Sequence, residues 1–238
     1  MNRVLHKVCI WSVLGTSLTL GVGMFLAHLF PPPSPKDPAI EIATYYADHQ
    51  GRVQIGLVIA MLGSSLLIPF GAALAWEVQK MAGGARGDRA VASTIQVICG
   101  GFVFLFVLLP MLVFMVAAFR ADRDPAIVEA LHDLGWFILV APVSFAVLQF
   151  GFLGAAMLMD RQPEPTFPRW FGYGTLFLAF DFLGGSLVVL TKTGPLAWDG
   201  AFAFYVPFGG FFAWMAGAIR YMGRSVDREW ALEGLVVS

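Results

Sequence analysis

The chain has 238 residues, of which 58% are hydrophobic and 13% charged, with a net charge of −1 and a mean hydropathy of +0.74. The charged share is about half that of an average soluble domain, which excludes an ordinary soluble core. Near-neutrality and the lack of any zinc-finger or related motif remove nucleic acid as an expected partner.

A spanning helix needs roughly 20 apolar residues. Six stretches meet that length in chain order: 8–30, 53–76, 94–119, 136–158, 173–191 and 201–222. The expected fold is an all-α, polytopic membrane bundle of six transmembrane helices, forming a single transmembrane domain over 1–238. The first stretch is too long for a signal-peptide core and ends in AHLFPPP without a small-x-small cleavage site, so it reads as a retained helix. PPPSPKDP breaks the chain after it. Gly15, Thr19 and Gly23 in span 1, and Gly209, Ala213 and Gly217 in span 6, lie at four-residue spacing and would let backbones approach. Pro69, Pro110, Pro142 and Pro207 fall inside spans and should kink them. The second span ends at Trp76-Glu77 before a polar, Gly-rich loop. Cys9 and Cys99 lie in apolar stretches with no CxxC spacing and read as buried apolar residues.

Lys and Arg set the expected orientation. Arg3, Lys7, Lys80, Arg86, Arg89, Arg161, Arg169, Arg220, Arg224 and Arg228 fall on one side, against Lys36, Arg52, Arg120, Arg123 and Lys192 on the other. The richer side holds both termini and is expected to be cytoplasmic. Tyr45, Tyr46, Trp136, Trp170 and Trp198 fall near span ends, where an aromatic belt would place them.

Two constellations could carry chemistry. Asp181 lies near the middle of span 5, in LAFDFLGGSL, with no mid-span Lys or Arg to neutralise it. A carboxylate there costs roughly 2.5–3.5 kcal/mol on insertion scales. It is therefore expected to face the bundle interior and be held mostly neutral, or else to meet a polar cavity or a cation. Ser64, Ser65 and Gln149 are candidate polar neighbours, giving a substrate or proton site. The alternative is a neutral acid bonded to an adjacent helix. The second constellation is His28, His49, His132 and Glu129 on the opposite side from the termini. In DPAIVEALHDLGWF, Asp124 suits an N-cap and Pro125 the first helical position. Glu129 and His132 are then i,i+3 neighbours, one quarter of a dimetal bundle pattern. Zinc or copper could use the imidazoles if the loops converge, and solvated interfacial side chains are the favoured alternative. No Walker, G-x-S-x-G or HExxH motif and no pair of mid-span histidines appears, so no cofactor is expected and no catalytic residue is singled out.

The segments IATYYADHQGRVQIG, AFRADRDP with LHDLGWF, PRWFGY and KTGPLAWDG together resemble a group of uncharacterised six-span bacterial inner-membrane proteins, from about Thr44 to Arg220. The resemblance implies the architecture and a bacterial inner (cell) membrane, and brings no chemistry. Three functions stay open. The first is a carrier or channel for a small or lipophilic molecule. The second is a subunit or scaffold packed against itself or a membrane-protein partner. The third is a membrane-embedded enzyme with a metal site on the outer face. Membrane lipids are the expected surroundings in each, and the unexplained Asp181 puts the carrier first.

Overall fold

The computed structural model describes residues 2–81, 86–120 and 122–237, and every regular element among them is helical. The Gly-rich segment at 82–85 lies outside the described residues. In chain order the helices are α1 (Arg3–Leu26), α2 (Ala39–Asp48), α3 (Gln50–Ser64), α4 (Leu67–Lys80), α5 (Arg86–Ala118), α6 (Pro125–Val140), α7 (Ser144–Met159) and α8 (Arg169–Asp181). A 3₁₀ stretch (Phe182–Leu190) and a π-helical turn (Ala201–Tyr205) follow, and α9 (Val206–Val237) closes the chain. Joined end to end these give six helices long and apolar enough to cross a membrane: Arg3–Leu26, Gln50–Lys80, Arg89–Ala118, Pro125–Met159, Arg169–Leu190 and Ala201–Leu232. Large apolar side chains such as Leu62, Phe177, Phe180 and Leu190 stand exposed around them. Water does not tolerate so continuous an apolar surface, whereas lipid does. The protein is a multi-pass membrane protein built as an all-α six-span bundle.

The spans run further than expected from hydropathy, most of all the fourth and the sixth. Asn2 caps α1 by accepting from the Val4 amide at 2.9 Å, so the first span starts at Arg3. It stops at Leu26, because His28 turns the chain at φ 55°. The fourth begins at Pro125, where Asp124 accepts from the Ala126 amide at 2.8 Å. Val128, His132, Trp136 and Leu139 continue one buried stripe from there, so the short helix and the span are one element. The sixth keeps Ala218, Met222 and Val226 fully buried. Its far end is tied back to the first span by Arg3 and Lys7, each 2.6 Å from Asp227. Both termini therefore lie at one end of the bundle, called here the terminal end.

Two prolines break their spans, and neighbouring hydroxyls take up carbonyls at the breaks. Span 2 breaks between Ser64 and Leu67, ahead of Pro69. There Thr16 Oγ1 donates to the Gly63 carbonyl at 3.0 Å and Ser12 Oγ to the Leu66 carbonyl at 2.8 Å, both from α1. Span 4 breaks at Pro142, and Ser186 Oγ donates to the Ala141 carbonyl at 3.1 Å. Pro110 stays within a continuous α5, and Pro207 follows the π turn at the head of α9. Because backbone groups in lipid have no water to bond, such repairs decide which breaks a span can hold. The span 1 stripe packs on α3: a Cβ on Gly23 would sit 2.4 Å from the Gly56 carbonyl oxygen, so any side chain there would push the helices apart. In span 6, a Cβ on Gly217 would meet the Phe171 ring at 2.4 Å, whereas Gly209 faces open space.

Candidate functional site

Three features lie along the bundle. At the end opposite the termini, α2, the 28–37 loop and α6 enclose a cavity of about 340 Å³, with Tyr46 and His132 in its wall. His132 is only 3% exposed. The Trp136 indole N–H, which can only donate, points at His132 Nε2 from 3.2 Å. A neutral His132 therefore carries its proton on Nδ1 and donates it to the Tyr46 hydroxyl oxygen 3.1 Å away. Burial, with Tyr45 adding to it, pushes the Tyr46 phenol well above its ordinary range. Below this triad Trp136 is fully buried and stacks on Trp198 at 6.3 Å and 13°, and Phe204 packs edge-on to it at 6.0 Å. Trp198 is fixed by donating to the Pro33 carbonyl at 2.9 Å. Neither tryptophan is in an interfacial belt, whereas Trp170 is exposed as a belt residue would be.

Beneath this aromatic layer lies a partly open cavity of about 90 Å³ walled by all six spans. Thr16 and Leu20 come from span 1, Leu67 from span 2, Val107 from span 3, Phe150 from span 4, Phe182 from span 5, and Phe208 with Phe211 from span 6. Its surface is almost wholly carbon, and Phe212, 37% exposed, forms a lip on the outside of the bundle. A smaller void of about 30 Å³ shares Leu67, Val103, Phe150 and Phe211 with it and is also lined by Gln96 and Gln149.

At the terminal end, Glu77 is fully buried. Its Oε1 accepts from Lys80 Nζ at 2.8 Å and lies 3.7 Å from His6 Nε2. Its Oε2 accepts from the Thr166 hydroxyl at 3.1 Å and the Ser225 hydroxyl at 3.2 Å. Lys80 also pairs with Glu229, and its carbonyl accepts from Gln162 Nε2 at 2.6 Å. The network therefore ties spans 2 and 6 and the loop between spans 4 and 5 around one carboxylate, closing this end of the bundle.

The residues singled out from sequence are dispersed among these features. Asp181 ends α8 where the backbone tightens to 3₁₀, next to Phe182 of the central cavity. It is half-buried, and its Oδ2 is buried without a hydrogen-bond partner among the described residues. Ser64 is buried but its hydroxyl bonds back to the Met61 carbonyl at 2.7 Å. Ser65 is exposed and bonds to the Leu62 carbonyl at 2.8 Å. Gln149 lines the small void instead, so no hydrogen bond among the described residues joins these three to Asp181. His28 and His49 are exposed and sandwich the Tyr45 ring, at 5.2 Å and 4.7 Å between centroids. Only His132 of the three histidines is buried, which departs from the solvated interfacial reading. Glu129 is half-buried one turn before it. Among the described residues no three His, Cys, Asp or Glu side chains come together as a metal site. Both cysteines are free thiols.

Sequence reasoning passed over Glu77 and Gln96. A signal for Glu77 existed: Glu77 and Lys80 form an i,i+3 pair at the end of an apolar helix. Its other partners, His6, Thr166, Ser225 and Glu229, come from segments far away in the chain, and no local pattern links them. Gln96 could have been paired with Gln149 as a second mid-span amide. No family model, no curated protein and no solved structure matches the chain.

Proposed function

We propose that the protein is a carrier that takes a small lipophilic molecule, or the alkyl part of one, from the bilayer into the centre of its six-span bundle. The central cavity carries this reading: its carbon-lined wall is contributed by all six spans, and Phe212 forms its lip on the lipid-facing surface. A water-filled pore would require polar walls, whereas an apolar cavity of this kind stays dry and favours apolar guests. The ends of the bundle fit a carrier at rest. The aromatic layer of Trp136, Trp198 and Phe204 closes one end of the cavity, and the Glu77–Lys80–Glu229 network closes the terminal end. Asp181, beside the cavity-lining Phe182, remains the candidate proton-linked group of such a carrier. The Lys/Arg excess on the terminal side favours a cytoplasmic location for both termini, in a bacterial inner membrane as the resemblance to six-span bacterial proteins implies.

The test is photolabelling in proteoliposomes with an alkyl chain bearing a diazirine, mapped by mass spectrometry. Saturable labelling of cavity residues on spans 3, 4 and 6 is expected, reduced in Ala203→Leu, which places extra methyl groups in the cavity wall. Labelling confined to lipid-facing residues, with no saturation, would contradict the reading.

A further inference from the structure

Two buried amides next to the central cavity lack hydrogen-bond partners among the described residues. Gln96 is 2% exposed and Gln149 is 6% exposed. Gln96 Nε2, a donor, and Gln149 Oε1, an acceptor, are both buried without a hydrogen-bond partner among the described residues. Both side chains line the same void of about 30 Å³, whose remaining wall is apolar. That void shares Leu67, Val103, Phe150 and Phe211 with the carbon-lined central cavity. An unpaired amide group in an apolar interior is costly, so two unpaired amides beside one void call for a polar group to fill it.

We propose that the central cavity and the Gln96–Gln149 void together form a binding site for a neutral lipophilic alcohol, with the chain in the cavity and the hydroxyl between the two amides. This rests on the lipophile reading above and names the head group. The hydroxyl accepts from the N–H of one amide and donates to the oxygen of the other. A ketone, ester or ether only accepts, so it leaves the oxygens of both amides open. A carboxylate accepts without donating, and no Lys, Arg or His lines the void to hold its charge. A hydroxyl also matches the room available, since a void of that size holds about one water oxygen. The amides thus select for a group that both donates and accepts within the volume of one oxygen atom.

The experiment compares two photoreactive probes in proteoliposomes of the full chain: a diazirine-bearing octanol and its methyl ether, at equal membrane mole fraction. The alcohol is expected to label residues around Phe150 and Phe211 about fivefold more than the ether, the worth of one additional net hydrogen bond. Gln149→Leu is expected to reduce the alcohol to the level of the ether. Equal labelling of the cavity by both probes in the unaltered protein would overturn the alcohol site and leave the lipophile reading standing, with the amides bridged by water alone. Saturable cavity labelling by neither probe would overturn both. The comparison in the unaltered chain decides the matter even if Gln149→Leu fails to fold.

Discussion

Replacing Glu77 by Ala should be among the most damaging single changes outside the apolar core. The carboxylate is fully buried and holds Lys80 at 2.8 Å and the Thr166 and Ser225 hydroxyls at 3.1 and 3.2 Å. Removing one partner of a buried ion pair typically costs about 3–5 kcal/mol, mostly because the other charge is left uncompensated. Here Lys80 keeps Glu229, and Thr166 and Ser225 lie 3.2 Å apart and can bond each other. The expected loss is therefore near the lower end, about 3 kcal/mol. Glu77→Gln keeps an oxygen for Lys80 and an amide for the two hydroxyls, and should lose only about 1–2 kcal/mol. Lys80→Met in the Glu77→Ala background should restore part of the loss, since no cation is then left facing the gap. Reversible unfolding of the purified protein in mixed micelles measures all three. A loss below about 1 kcal/mol in Glu77→Ala, or no rescue by Lys80→Met, would refute the view that this carboxylate holds the terminal end together.

Tyr46→Phe removes the acceptor of the His132 Nδ1 proton and should cost about 1–3 kcal/mol in the same unfolding measurement; an unchanged midpoint would mean His132 does not donate there. Alkaline titration followed by tyrosinate absorbance should show Tyr46 ionising only as the fold is lost. Because burial raises its folded-state value, the unfolded chain releases that proton first, so stability should be intact below the ordinary tyrosine range of about 10 and fall as pH rises above it. Normal ionisation of all tyrosines in folded protein would show Tyr46 to be solvated. Asp181→Asn keeps the shape of a side chain whose Oδ2 has no hydrogen-bond partner among the described residues, and should leave the unfolding midpoint unchanged or raised; a marked loss would reveal a cation or proton donor bound to the carboxylate.

The architecture was legible in the sequence because lipid imposes one simple requirement, about 20 apolar residues per span, and the chain meets it six times. Capping was legible too, as Asp124 and Pro125 show. Span lengths were not, since hydropathy stops at the first charge, whereas α9 carries a buried stripe through Met222 and Val226 beyond Arg220. The polar groups were least legible. Gln149 was picked as a neighbour of Asp181 by depth alone, but helix rotation turns it toward Gln96. His132 and Trp136 looked interfacial by position along the span, yet their face of α6 is covered by α2 and by the loop that carries Trp198. Depth follows from counting residues, but facing depends on how six helices pack, and that is fixed by long-range contacts such as Gly23 on Gly56.

The most direct test of a lipophile held in the bundle is a crystal structure of the protein grown from a lipidic mesophase. Continuous elongated density is expected in the central cavity, reaching past Phe150 toward Gln96 and Gln149 and absent in Ala203→Leu. A cavity collapsed by closure of Phe208 and Phe211, or filled by ordered waters alone, would contradict it.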